Sequence, residues 1–339
     1  MTDPAEALRE YAFWLERERA DTYRVRAFRD AADLAEAIPE PDRPRTEAGW
    51  RELPGFGPKT AAVAAAACAG QVADSLAARR EAGGASLDPR GDALRRQLRG
   101  DLHTHTTWSD GGSSVAEMAR VAESLGHEYF AVTDHSPRLR VANGLSRERL
   151  LAQWDEIDRV QAERSVRILK GIEVDILADG GLDQGPDLLS RLDVVTASVH
   201  SDLRADSAAM TARMVAAVAN PVTTVLGHCT GRKLRKDGSW RPESAFDAEI
   251  VFAACAMFGV AVEINSRPER QDPPMELIRL ADEAGCLFAI DSDAHAPGQL
   301  DFLTYGAACA AEAGIDPDRI ITTWPVAKLL DHARRHTKP

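Results

Sequence analysis

The sequence has no Cys-x-x-Cys pair, no long apolar run and no excess of basic charge, and each absence removes a class of protein. Its five cysteines, Cys68, Cys229, Cys255, Cys286 and Cys309, are odd in number and widely spaced. They exclude a cysteine-ligated zinc motif and read as reduced thiols in a reducing compartment. The longest apolar run, Ile250 to Val262, contains a glycine and falls short of the roughly 18 residues of a membrane-spanning candidate. Met1 to Glu10 is acidic and polar, without the basic start, apolar core and small-residue cleavage site of a secretory signal. A cytoplasmic protein with no membrane partner is expected. The net charge of −12 leaves no overall basic field to draw the molecule onto a polyanion, although a locally basic face can still do so.

What is present is ordinary globular material: 339 residues, 44% hydrophobic and 28% charged, enough for about two domains. No internal repeat or low-complexity tract interrupts it. Ala5 to Glu18 and Val25 to Ile38 space apolar residues by threes and fours, as helices with one packed face do. Proline-rich Pro39 to Pro44 breaks the pattern. Leu53-Pro-Gly-Phe-Gly-Pro-Lys-Thr60 then leads into an alanine-rich helix, Ala61 to Ala69, with Gly70 fitting as its C-cap. The expected organisation is a small all-α domain over 1–80, a linker with a short helix over 81–99, and an α/β domain over 100–339.

Beyond Gly100, short β-branched runs alternate with amphipathic stretches, as in repeated βα units. The expected strands are Asp101–His103, Tyr129–Thr133, Ile168–Val174, Val194–Val199, Thr223–Leu226, Val260–Ile264 and Leu287–Ile290. Most carry chemistry at their ends: His103, Asp134-His135, Glu173, His200, His228, and Asp293 with His295. The Val260 run differs, ending in Asn265. In a closed βα barrel all C-terminal strand ends share one face, so these side chains would converge. Six histidines, His103, His105, His135, His200, His228 and His295, join Asp110, Glu173 and Asp293. Mixed imidazole and carboxylate suits zinc, manganese or iron. Nine ligands exceed what one tetrahedral ion uses, so two to three divalent transition-metal ions sharing a carboxylate are expected. His127 precedes its strand and is set aside.

Asp101-Leu-His-Thr-His105 with Ser109-Asp-Gly111, Thr133-Asp-His-Ser136, Gly171-Ile-Glu173, Ser198-Val-His200, Gly227-His228 and Asp293-Ala-His295 resembles the PHP (polymerase and histidinol phosphatase) domain family. Leu169 to Ile176 and Leu226 to Arg232 resemble most the PHP module of bacterial family X DNA polymerases. Tyr23-Arg-Val-Arg-Ala-Phe28 and the helix-hairpin-helix at Leu53–Thr60 resemble their small helical domain. Only about thirty residues, Gln71 to Gly100, stand where a palm and fingers would be, so no polymerase fits. Lys59 is the single lysine of the first hundred residues and lies inside the hairpin, which argues against lyase chemistry.

The resemblance implies a distorted, seven-stranded (βα) barrel with a trinuclear site. His103, His105, Glu173 and Asp293 would hold the first ion and carry catalysis. His200 and His228 would hold the second, bridged by Glu173; Asp110, His135 and His295 would hold the third. Clustered ions of this kind activate a bridging water for attack on phosphorus. Arg204, Arg232, Arg267 and Arg270 follow the right strands to clamp phosphate. Backbone amides around Gly55 and Gly57, with Lys59, could grip a DNA phosphate. Residues 1–100 hold 16 Lys and Arg against 17 Asp and Glu, so −11 of the net −12 lies beyond them. The leading expectation is a metal-dependent phosphoesterase acting on DNA ends, a 3′–5′ exonuclease or 3′-end phosphatase. A histidinol-phosphatase-like small-molecule phosphomonoesterase and a non-catalytic DNA-repair subunit are the alternatives.

Overall fold

The Asp3 carboxylate accepts the Ala5 amide and starts α1 (Pro4–Arg17). Asp21 does the same for α2 (Thr22–Ala37), and Tyr11 stacks on Phe28 at 4.0 Å between the two. Two further helices, α3 (Glu47–Arg51) and α4 (Pro58–Cys68), close the bundle. The short α3 exists to bury Trp50, which no periodic pattern announces; Trp50 is wholly enclosed and meets Phe56 at 4.8 Å. Between α3 and α4 the hairpin turns at Gly55, whose φ of +92° favours glycine. Ala69 caps α4, and the expected cap Gly70 sits one residue on, left-handed at φ +71°. After it α5 (Asp74–Gly83) extends the helical unit beyond residue 80.

In this computed structural model, residues 3–235 and 237–334 are described, and 335–339 of the expected second domain lie outside them. The chain divides into two units, Met1–Ser86 and Leu87–Pro339. The second contains β1 (Gly100–Thr104), β2 (Tyr129–Val132), β3 (Arg167–Asp175), β4 (Val194–Ser198), β5 (Val225–Leu226), a small antiparallel hairpin of β6 (Lys233–Leu234) and β7 (Trp240–Arg241), then β8 (Ala261–Asn265) and β9 (Leu287–Asp291). Helix α6 (Asp92–Arg95) precedes β1, and helices α7 (Val115–Ser124), α8 (Arg147–Gln161), α9 (Pro186–Leu189), α10 (Ser207–Val218), α11 (Ala248–Phe258), α12 (Met275–Glu283), α13 (Leu303–Ala313) and α14 (Val326–Ala333) lie between and after the strands.

All seven expected strands pair in parallel in the order β1-β2-β3-β4-β5-β8-β9. The ends β1 and β9 are joined by a Thr104–Ala294 bridge and by the Leu102 amide donating to Asp291 Oδ1 at 2.8 Å, which nearly closes a distorted barrel. Its N-terminal end is plugged by Leu102, Tyr129, Leu169 and Val225 against Ile321, Trp324 and Leu329. The hairpin β6–β7 was not legible in the sequence, being two residues per strand.

Residues 87–99, read as linker, belong to the barrel unit. A Cβ on Gly91 would lie 2.5 Å from the Thr304 carbonyl oxygen and 2.6 Å from the Ala308 nitrogen, so this segment packs backbone to backbone on α13. Gly91→Ala is expected to lower barrel stability by about 1–3 kcal/mol, measured by urea unfolding, because neither backbone can yield cheaply. Among the described residues no helix is long and apolar enough to cross a membrane.

Candidate metal centre

Parallel strands deliver their C-terminal ends to one face, and six of the seven ends bring a ligand type there. His103 lies near the end of β1, and the chain then folds back sharply to place His105 and Asp110. Gly111 permits that fold: a Cβ there would stand 2.6 Å from the His105 carbonyl carbon. The buried Asp134 carboxylate pins the same loop, accepting from the Thr106 amide at 2.8 Å and the Thr106 hydroxyl at 2.6 Å. His135 follows β2, Glu173 lies within β3, His200 follows β4, His228 follows β5, and Asp293 and His295 follow β9. All nine expected ligands come together.

Glu173 is the hub. Its Oε1 is 2.8 Å from His228 Nε2 and 3.2 Å from His200 Nε2. Its Oε2 is 2.7 Å from His135 Nδ1, 3.4 Å from His103 Nε2 and 3.6 Å from His105 Nε2. Asp293 Oδ1 stands 3.4 Å from His105 Nε2, and Asp110 Oδ1 lies 3.5 Å from both His135 Nε2 and His295 Nε2. Three groups have ligand atoms mutually within 4.8 Å: His103, His105 and Glu173; His135, Glu173 and His200; and His105, Asp110, His135 and His295. His135 thus leans on Glu173 as well as on Asp110, and His105 faces two groups, a more shared arrangement than the expected partition.

The donor set fits divalent ions on its own geometry. His103 Nε2, both nitrogens of His105 and His200, His135 Nδ1, His228 Nδ1 and Glu173 Oε2 are buried without a hydrogen bond of acceptable geometry. Orphaned buried polar atoms are costly unless something polar completes them. The charges are set against one another in the same way. Burial alone would raise Glu173, but His200, His103 and His135 hold it well below the usual carboxylate range. Burial, with His295 and His135 beside it, pushes His105 well below the ordinary histidine value. Burial and Arg270 bring His228 down to about 4. His200, opposed by burial, is lifted to about 9 by Glu173 and Asp175. An ion takes only the neutral imidazole, so metal binding would displace the protons that carboxylate neighbours favour on His200 and His103.

The arginines divide. Arg270 is mostly enclosed and donates from Nε to Asp293 Oδ2 at 2.8 Å. Arg267 Nη1 reaches the Asp293 carbonyl at 2.9 Å and His295 Nδ1 at 2.7 Å. Both hold Asp293, whose φ of +51° is strained for a non-glycine residue. Arg232 lies over the Trp240 ring at 4.1 Å, 3.5 Å from Glu243. Arg204 is exposed. In the helical unit Gly55, Gly57 and Lys59 are exposed around the hairpin and the start of α4.

Sequence reasoning missed Glu263 and Asn265 on β8 and Asp175 beside His200. A glutamate inside the otherwise apolar run Ala261-Val-Glu-Ile264 was the available signal, because a buried acid on a barrel strand needs a partner.

A family model described as the PHP domain matches residues 101–283. The chain belongs to the PHP family. A helix-hairpin-helix domain model matches residues 2–70. DNA polymerase/3′-5′ exonuclease PolX of Bacillus subtilis (strain 168) is 37% identical over 226 residues, 66% of this chain and 39% of that protein. The match therefore spans well under half of the polymerase's length. A protein named probable phosphatase from Thermoanaerobacter sp. (strain X514) is 29% identical over 248 residues, 69% of this chain and 94% of its own. Histidinol phosphate phosphatase from Lactococcus lactis, solved with zinc, L-histidinol and phosphate, superposes with a TM-score of 0.48 at 18% identity, covering 65% of this chain and 95% of that one. This PHP protein is a metal-dependent phosphoesterase.

Proposed function

We propose that this PHP phosphoesterase acts on DNA ends, as a 3′–5′ exonuclease or 3′-end phosphatase, using two to three zinc, manganese or iron ions. The observation that carries the reading is one chain holding both a buried cluster of histidines and carboxylates around Glu173 and a helix-hairpin-helix unit, with 226 of its residues similar to PolX. His103, His105, Glu173 and Asp293 would hold one ion, His200 and His228 with Glu173 a second, and Asp110, His135 and His295 a third. When bound, such ions supply an activated water and neutralise phosphoryl oxygens. The chain's own residues do the rest: Glu173 keeps five imidazoles facing one centre, and Arg270 and Arg267 keep Asp293 aimed at it.

Arg204 and Arg232 are the arginines left to meet substrate phosphate, whereas Arg267 and Arg270 have a prior task on Asp293. Arg204→Ala is expected to raise KM roughly tenfold with metal content unchanged, as loss of one charge-assisted contact does. Arg270→Ala is expected to lower metal content as well as activity. Parallel KM and elemental measurements separate the two; equal metal loss in both variants would refute the division.

The test of the main reading is purified protein with manganese, assayed side by side on labelled single-stranded DNA, 3′-phosphorylated DNA and a generic phosphomonoester. Faster hydrolysis of either DNA substrate supports it. The match to 94% of a probable phosphatase favours a second reading, a small-molecule phosphomonoesterase. A phosphomonoester hydrolysed while both DNAs are left intact would establish that one.

A further inference from the structure

Of the seven barrel strands, β8 is the one that brings no ligand to the centre, yet it carries a glutamate with no exposed surface at all. Side chains two apart on a strand point the same way, so Glu263 and Asn265 share a face. Glu263 Oε1 lies 2.6 Å from His103 Nδ1. Its Oε2 accepts from the His228 amide at 2.5 Å and from Asn265 Nδ2 at 3.2 Å. Asn265 Nδ2 also reaches Asp293 Oδ2 at 3.2 Å, and Asn265 is itself fixed, its Oδ1 accepting from the Arg267 amide at 3.1 Å and its amide donating to the Asp272 carbonyl at 2.9 Å. One buried carboxylate and one amide therefore touch His103 from β1, His228 after β5 and Asp293 after β9.

We propose that Glu263 is a positioning residue of the metal centre, with Asn265 as its tie to Asp293, and that β8 supplies the layer of contacts behind the ligands. A carboxylate on His103 Nδ1 places the ring proton there. Nε2, which has no hydrogen-bond partner and faces Glu173 Oε2 at 3.4 Å, is then left with its lone pair directed at the centre. The second oxygen fixes the backbone from which the His228 side chain springs. This rests on the proposed function for the presence of ions, and on nothing in it about substrate.

The experiment uses the full chain stripped of metal by a chelator and titrated with zinc against a chromophoric chelator, with cobalt(II) absorption as a second signal. Glu263→Gln keeps the shape and removes the charge. Its tightest zinc site is expected to weaken roughly 10–100-fold, the usual loss when a carboxylate behind a ligating histidine is removed, and the visible cobalt bands are expected to shift. A purely structural role would lower the melting temperature of the metal-free protein and leave zinc affinity and cobalt bands at wild-type values; that result would overturn the proposal. Should the glutamine variant fail to fold, Asn265→Ala carries the test. It is expected to weaken zinc several-fold, and a wild-type affinity and spectrum there would overturn the proposal equally. A wild-type protein that binds neither ion would instead remove the metal reading itself.

Discussion

Glu173→Gln is expected to leave the protein without tightly bound transition metal and to slow phosphoester hydrolysis by roughly a thousandfold or more, the size of losing several kcal/mol of metal-ion stabilisation. The size follows from how many groups the carboxylate serves. His200 and His228 face one of its oxygens and His103, His105 and His135 the other, all within 3.6 Å. Glutamine fits the same space but presents an amide nitrogen to one group of imidazoles, which no lone pair can then bridge. No neighbour can substitute: Asp293 is already committed to Arg270, and Asp110 stands on the other side of His105 and His135. Elemental analysis and turnover measured on the same preparation check the prediction. A variant that keeps wild-type metal content would show that Glu173 is peripheral to the ions, and one that loses metal while keeping full turnover would show that the ions are peripheral to the chemistry.

The barrel was legible because its ligands mark its strands. Each of six β-like runs ends in a group that is expensive to bury alone, and the physical reason for burying them together also fixes strand direction, since only parallel strands deliver all their ends to one face. The short α3 and the β6–β7 hairpin were hidden because neither is long enough to show a period. Asn265 was read as an exception to the pattern, and the structure makes it part of the same centre one contact further out. The tasks of Arg267 and Arg270 were hidden for a different reason. Chain position puts both arginines near phosphate, but only the fold reveals that Asp293, left-handed and buried, is closer. Lost in the same way was the membership of residues 87–99, whose polar, glycine-bearing composition says nothing of the α13 backbone it meets.

A chain beginning at Leu87, the first residue of the barrel unit, is expected to keep wild-type turnover on a small phosphomonoester and to lose roughly tenfold or more in efficiency on DNA, mainly through KM. The reason lies in the start of α4. The first-turn amides of a helix have no partner within it, so on the proposed function those of Lys59 and Thr60, with the exposed Lys59 side chain, would hold a phosphate without reading sequence. Arg24 and Arg26 are exposed and can add to this, whereas Arg29 is occupied by Glu16 at 2.8 Å. So few contacts mean a shallow dependence of log affinity on log salt. A finer version of the test stays within the full chain. Gly55 is a poor site for it, because φ +92° would strain any replacement and confuse folding with binding. Gly57 is a clean one: its φ is −92°, and a Cβ there meets no atom within 4 Å. Because Gly57 is the N-cap of α4, where valine is a poorer cap, Gly57→Val is expected to lower the melting temperature slightly and leave the phosphomonoesterase rate unchanged, while its branched side chain holds a phosphate away from α4 and lowers DNA affinity roughly tenfold. If both the shortened chain and Gly57→Val hydrolyse and bind DNA as the wild type does, the helical unit does not deliver DNA, and the small-molecule phosphomonoesterase becomes the better account of the enzyme.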